Sequence, residues 1–478
     1  LDIQIIVFVG YFILLLVIGI VSYKNTENAQ DYWIAGGNLG WAVGGASIAS
    51  TQMSSGLFIG TIGTMYAVGW SFGWIVLVFP FAYWFMVAFI APRFTRVKRN
   101  SLPDFIETRY YSKNARIIAA IIILVTMVVY IQAQIVAGGL IANIIFGIPT
   151  EQGMLLFTAI LIIYSVIGGM MAVMYTDFVQ MMVMVLGAII SVPLAIRHMG
   201  GTDNLLSYVQ SVSPITFTWE GMPPAVLFTM GLAFLLGAVA RPEQLVRFYA
   251  MKDMKTIRKG ILFTIILVGV AHFFVYYLAL SSTVLFPALP TGDLAMPMIA
   301  TSVLPPLIGG ILLAAVTSAM MSTVDSLLIV AGSALSNDIY QPIFDPKASE
   351  KRKIWVGRIG VVIAGTVPVV LLLFGIGQGE LVQIMVALFS ALMASSFLMP
   401  VVLGVLWKRT TKEGAISAMI GGLLACFGWR LLGFHSFLDP VVAGFIVSTI
   451  LIVVVSLMTP APPKYATDPF FKGEKKVA

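Results

Sequence analysis

Apolar residues run along this chain in blocks of about twenty, and polar residues gather into short stretches between them. A helix needs about 20 apolar residues to cross the hydrocarbon core of a bilayer. Thirteen blocks are expected to cross, at 3–23, 40–67, 70–92, 115–146, 154–174, 177–197, 224–241, 259–287, 306–334, 354–374, 381–406, 413–433 and 440–458. Lipid offers backbone groups no hydrogen-bond partner, so such spans must close their bonds within a helix. The pattern predicts an all-α integral membrane protein of about thirteen transmembrane helices. The first block lacks a basic leader and a small-residue cleavage site, and is read as a retained span.

Two spans break the apolar pattern at mid-depth. The stretch from Ile311 to Leu328 carries Ser318, Ser322, Thr323, Asp325 and Ser326. An ionised Asp near a bilayer centre costs about 2.5–3.5 kcal/mol on insertion scales, so it must face protein, water or a cation. Ala319, Ser322, Thr323 and Ser326 follow helical spacing and share a face. Small hydroxyls beside one carboxylate suit a hard, dehydrated cation. Span 2 holds Gly44, Gly45, Gly56, Gly60 and Gly63 around a polar centre of Ser50, Thr51, Gln52, Ser54 and Ser55. Glycine and hydroxyls allow close helix packing. Their density at one depth points further, to a helix broken near its middle with freed carbonyls facing a site.

Charge and composition narrow the class. The chain is 59% hydrophobic and 10% charged, with a mean hydropathy of +0.98, whereas soluble domains carry about 25% charged residues. Its net charge of +7 reflects sidedness and does not indicate nucleic-acid binding. With the N-terminus outside, every basic residue except Arg197 and Arg430 falls on the inner side, from Lys24 through Arg241 and Arg247 to Lys476. The positive-inside rule then gives an N-out, C-in protein, and the expected location is the plasma membrane of a bacterial cell. The lone Cys426 excludes an internal disulfide. His198, His272 and His435 are widely separated, and no Walker-type loop is present, so the chain is not read as an enzyme.

Two polar-centred helices, one per half, suggest inverted repeats around a midplane site. Residues 1–39 form a peripheral helix and loop, 40–200 and 201–408 two five-helix repeats, 409–459 two further peripheral helices, and 460–478 a mobile basic tail. Ser101 is placed to cap a short helix starting at Pro103. Residues 242–258 read as an inner loop.

Several motifs resemble the sodium:solute symporter family. DYWIAGGNLG precedes span 2. Tyr164-Ser165-Val166-Ile167-Gly168-Gly169-Met170-Met171-Ala172 is similar to one family signature. Gly404, Val405 and Arg409, with the stretch from Gly414 to Gly422, are similar to the other. The resemblance implies a LeuT-like 5+5 inverted-repeat core whose first helix is broken, working by alternating access. It implies a sodium site of Ser50, Met53, Ala319, Ser322 and Thr323. A second cation site, present in some relatives, would take Asp177, Ser322, Asp325 and Ser326. Asp325, where several relatives place a plain hydroxyl, favours a second cation or a proton, and two cations per cycle.

The same resemblance bears on the solute. Sugar-transporting relatives carry a glutamine at the position of Leu57, so a sugar is disfavoured. Proline transporters use aromatics at positions matching Phe234 and Ala238 and an acid at Gln52; Tyr130 does match one of their aromatics. The segments SVLPPLIGGILLAA, FYAMKDMKTIRKGI and LLGFHSFLDP are similar to pantothenate symporters, as is Gln134. The expected cargo is therefore pantothenate or a similar monocarboxylate with sodium ions, and an amino acid such as proline is the alternative. Gln52, Ser54, Ser55, Phe58, Tyr130, Gln134 and Phe234 are the candidate solute contacts, although core packing accounts equally for the two phenylalanines. No intramembrane Arg or Lys is expected to meet the solute's carboxylate. The chain is expected to function as a monomer within the lipid bilayer. A sodium-permeable channel or a non-transporting sensor on the same core is the reading from a different class.

Overall fold

The computed structural model describes residues 3–23, 29–212 and 214–471. Lys24, Lys472, Lys475 and Lys476, assigned above to the inner side, lie outside the described residues. Among the described residues every regular element is helical.

Span 1 is Ile3–Tyr23. Spans 2 to 6 occupy 41–68, Trp70–Phe94, Lys113–Phe146, 150–168 and Gly169–His198. Spans 7 to 11 are Pro224–Ala250, Met254–Leu285, Pro306–Ile343, Glu350–Leu373 and Val382–Leu406, and spans 12 and 13 are Lys412–Leu431 and Val441–Met458. Ten of these helices are long and apolar enough to cross a membrane by length and composition alone. The most apolar stretch of span 9 is 83% buried inside the protein, against 28% for span 13. Span 9 is thus a central helix and span 13 faces outward along much of its length.

Three sequence expectations change. The turn between spans 5 and 6 falls at Gly169, with φ 64° and ψ 177°, about one and a half turns earlier than the hydropathy suggested. A Cβ there would lie 2.6 Å from the Tyr32 ring, so glycine answers both the left-handed backbone and the close approach. Asp177 consequently sits inside span 6, not at its start.

The second change is at span 7, which continues through the supposed inner loop. It breaks at Arg241, whose backbone is extended at φ −67° and ψ 122°, and resumes as the wholly buried helix Pro242–Ala250. Proline disfavours helical backbone in the residue before it and suits the first turn of a new helix. Each five-helix half therefore opens on a broken helix, at Ser54 in one and Arg241 in the other.

The third is the tail. Lys464–Phe471 is a helix whose Phe470 and Phe471 are buried. Phe470 packs edge-on against Phe105 of the short helix Leu102–Tyr110, and its carbonyl accepts a 2.7 Å bond from Arg96. That short helix is capped as the sequence suggested, with Ser101 Oγ accepting from the Asp104 N–H at 3.1 Å.

Spans 12 and 13 lock onto span 11 through small residues. A Cβ on Gly422 would lie 1.9 Å from the Ser395 carbonyl oxygen. Overpacking typically costs about 1–3 kcal/mol, and a backbone neighbour cannot rotate away. Gly422→Val is expected to lower the unfolding midpoint of the detergent-solubilised protein. Gly428→Ala, whose Cβ would meet nothing within 4 Å, is expected to leave it unchanged. Equal midpoints for the two variants would show that this contact is not held tightly.

Candidate functional site

The site is built where the break in span 2 meets span 9. Ser54 leaves the helix at φ 20° and ψ −177°, a costly conformation for a residue with a Cβ, tolerated where the surroundings fix it. The half-helix beyond the break begins with free N–H groups. Two are satisfied by side chains: the Ser55 N–H donates to Gln134 Oε1 at 3.0 Å and the Gly56 N–H to Ser54 Oγ at 3.0 Å. On the other side of the break, carbonyls of span 2 meet the hydroxyl face of span 9. Ser322 Oγ donates to the Ser50 carbonyl and Thr323 Oγ1 to the Thr51 carbonyl, each at 3.1 Å. Both hydroxyls also reach the Ala319 carbonyl, at 3.2 and 3.0 Å.

Ser50, Ala319, Ser322 and Thr323 are thus brought together, fully buried, and Met53 stands immediately before the break. The set is all oxygen and carries no acid. That donor chemistry fits a hard monovalent cation, because oxygen ligands are what such ions take. The hydroxyl protons now spent on carbonyls can turn away so that the oxygens face an ion. The residues fit sodium.

The proposed second cation residues are arranged otherwise. The Arg247 guanidinium stands among them, with Nη2 at 3.0 Å from Asp177 Oδ2, 2.5 Å from Ser326 Oγ and 2.6 Å from Thr51 Oγ1. Its Nε donates to Ser47 Oγ at 2.7 Å, and Ser47 in turn donates to Asp177 at 2.5 Å. Asp325 is not in this group: its Oδ1 accepts from Ser165 of span 5 at 2.7 Å. The structure therefore gathers Asp177 and Ser326 around a built-in positive charge, leaves the Ser322 hydroxyl on the Ser50 and Ala319 carbonyls, and turns Asp325 toward a different helix. The sequence reading placed Arg247 in a loop and so missed that charge.

On the far side of the break lies a cavity of about 20 Å³, lined by Gln52, Ser54, Leu57, Phe79, Phe234 and His272 among others. It has room for about one water, since roughly 10–15 Å³ of this measure holds one. Three candidate solute contacts, Gln52, Ser54 and Phe234, line it. Ser55, Tyr130 and Gln134 form the layer behind, where Ser55 Oγ, Tyr130 Oη and Gln134 Nε2 have no hydrogen-bond partner. Buried polar atoms without partners are costly and rare. Phe58 packs in the apolar core and does not reach the cavity. His272 lines the cavity while its Nδ1 lies 2.7 Å from the Val268 carbonyl oxygen.

Arg241 is a buried arginine where the sequence led us to expect no intramembrane Arg or Lys. Arg241, 0% exposed, donates to Gln52 Oε1 at 3.3 Å and to Ser390 Oγ at 2.5 Å. Gln52 Oε1 also accepts from Tyr83 at 3.2 Å. The sequence signal for Arg241 was Pro242, which marks a helix start inside what hydropathy read as a loop.

Helices broken at Ser54 and at Arg241, with an oxygen-lined site between spans 2 and 9 beside a small cavity of mixed polar and apolar lining, are the arrangement of a secondary transporter. The chain belongs to the sodium:solute symporter family, whose model matches residues 32–422. It is 32% identical to the high-affinity proline transporter PutP of Bacillus subtilis (strain 168), over 95% of this chain and 98% of that one. It is 29% identical to the sodium/proline symporter of Escherichia coli (strain K12), over 96% of this chain and 94% of the relative. Among solved structures, a sodium-coupled sialic acid symporter in a substrate-bound, outward-open state aligns with a TM-score of 0.84 at 20% identity, covering 96% of this chain and 98% of that one. The LeuT-like fold and the membership are those expected from the motifs. The protein is a sodium-coupled transporter of a small organic solute, spanning a bacterial membrane many times.

Proposed function

We propose that the chain imports a small solute bearing a carboxylate, with L-proline the first candidate. One sodium ion would be held by Ser50, Met53, Ala319, Ser322 and Thr323. The observation that carries this reading is the meeting of the Ser322 and Thr323 hydroxyls with the span 2 carbonyls beside the Ser54 break. Span 2 then contributes to both sites at once. An ion that ties it to span 9 also sets the half-helix whose Gly56 and Leu57 line the cavity. Tyr130, next to Ser54 and Thr323, joins the two sites from span 4. The proline relatives support the choice of solute.

Pantothenate is the second reading, and a specific contact favours it. Gln52 is a neutral amide whose Oε1 already serves Tyr83 and Arg241, so it offers no acid to a solute's amine. A single built-in guanidinium at Asp177 supports one sodium per cycle in place of two. The charge distribution along the chain supports an N-out, C-in orientation.

Labelled L-proline and labelled pantothenate, offered separately to proteoliposomes under an inward sodium gradient, test the reading. One of the two is expected to accumulate and to be competed by its own unlabelled form. Accumulation of neither would remove the solute assignment. A sodium current that flows without either solute and does not saturate with it would favour a channel.

A further inference from the structure

We propose that Arg241 is the residue that receives the solute's carboxylate, an inference that rests on the carboxylate-bearing solute above. The first ground is charge. Arg241 is fully buried, yet its hydrogen-bond partners, Gln52 and Ser390, are neutral. The ion pairs of the described residues that hold a fully buried acid join Arg247 to Asp177 and the half-buried Arg116 to Asp338, and Arg241 is in neither. The buried Glu243 acts on Arg241 by charge, without an ion-pair contact among the described residues. Charged side chains inside a membrane protein are paired or line a functional path.

The second ground is an open donor. Guanidinium offers five N–H groups in a planar fork that matches a carboxylate. Here Nη1 makes a long 3.3 Å bond to Gln52, and Nε, fully enclosed, has no partner. A carboxylate displacing the Gln52 amide would take the Nη1 position with charge, and leave Gln52 its Tyr83 bond.

The third ground is orientation. The Arg241 Cζ lies 5.4 Å from the Tyr130 ring centroid and 5.3 Å from that of Phe389. Those two rings are themselves stacked, 4.4 Å apart at 22°. Cation–π contact holds the guanidinium in place before the solute arrives. It stands at the break of span 7, one side chain behind the cavity wall formed by Gln52.

The test measures acid preference. Uptake of the transported acid by proteoliposomes is competed with matched acid and neutral pairs: L-proline against L-prolinamide, and pantothenate against panthenol, in which the carboxylate is replaced by an alcohol. In the natural protein the acid is expected to compete at a concentration at least tenfold lower than its neutral partner. Arg241→Gln is expected to raise the solute half-saturation at least tenfold and bring the acid-to-neutral ratio within about threefold, with sodium half-saturation moved less than twofold. Arg241→Lys keeps the charge but loses the fork, and is expected to keep the acid preference at weaker affinity. Should Arg241→Gln fail to fold, the natural protein's ratio and the lysine variant decide the matter. Sodium-driven uptake with no acid preference in the natural protein, or with the preference intact in Arg241→Gln, overturns this inference alone. No sodium-driven uptake of either acid overturns it together with the solute reading.

Discussion

Arg247→Met is expected to be among the most destabilising single substitutions in the protein. Arg247 and Asp177 are both 0% exposed and 3.0 Å apart. The guanidinium also holds Ser47, Thr51, Ser326 and the Glu243 carbonyl, tying the second half of span 7 to spans 2, 6 and 9. Removing one member of a buried pair costs about 3–5 kcal/mol, because the remaining charge is left without compensation. Thermal unfolding of the detergent-solubilised protein should show a large fall in midpoint. Asp177→Asn introduced together with Arg247→Met removes the stranded charge and is expected to recover much of the loss. A double variant as unstable as the single one would mean that packing, and not charge, is responsible.

The same variant bears on the second cation. With the guanidinium gone, the Asp177 carboxylate and the Ser326 hydroxyl lose their cationic partner and can take an ion. Sodium should then stabilise Arg247→Met more steeply than it stabilises the natural protein, since a ligand that binds only the folded state raises stability by mass action. An identical sodium dependence in both proteins would show that no cation enters there.

Thr323→Ala is the second substitution with a large expected effect, this time on function. The Thr323 hydroxyl meets the Thr51 and Ala319 carbonyls, and the change removes one oxygen from the proposed five-oxygen shell while leaving helix packing nearly intact. A hydrogen bond or ligand contact to a charged group is worth about 1.5–3 kcal/mol, which corresponds to about a 10- to 150-fold rise in the sodium half-saturation of uptake. The unfolding midpoint in sodium-free buffer should change little. An unaltered sodium half-saturation would take Thr323 out of the shell.

Much of this was legible along the chain, for identifiable reasons. Thirteen apolar blocks are visible because lipid tolerates little else, and the hydroxyl face of span 9 is visible because helical spacing is fixed. The break at Ser54 could be read from polar residues crowded at one depth. The glycine pairs of the family motifs have physical reasons too: Gly169 turns the chain between spans 5 and 6, and Gly422 lets span 12 touch the Ser395 carbonyl.

The break at Arg241 escaped notice because Arg241, Glu243 and Arg247 lower the local hydropathy to that of a loop. Their burial depends on partners far along the chain: Asp177 and Thr51 for Arg247, Gln52 and Ser390 for Arg241. No local pattern announces such pairs. Asp325 misled for the same reason. Its polarity was evident, but only the packing of span 5 shows that it answers to Ser165 and not to Asp177. The tail's basic composition hid Phe470 and Phe471, whose burial depends on the short helix Leu102–Tyr110.

The central claim is that sodium drives solute uptake through the shell formed where span 2 meets span 9. Its most direct test is accumulation of labelled L-proline or pantothenate in proteoliposomes under a sodium gradient, against an equal potassium gradient, with and without a sodium ionophore. Accumulation above equilibrium with sodium alone, abolished by the ionophore and shifted to higher sodium by Thr323→Ala, is the expected result. Accumulation of the same solute at the same rate under potassium, or untouched by the ionophore, would contradict it.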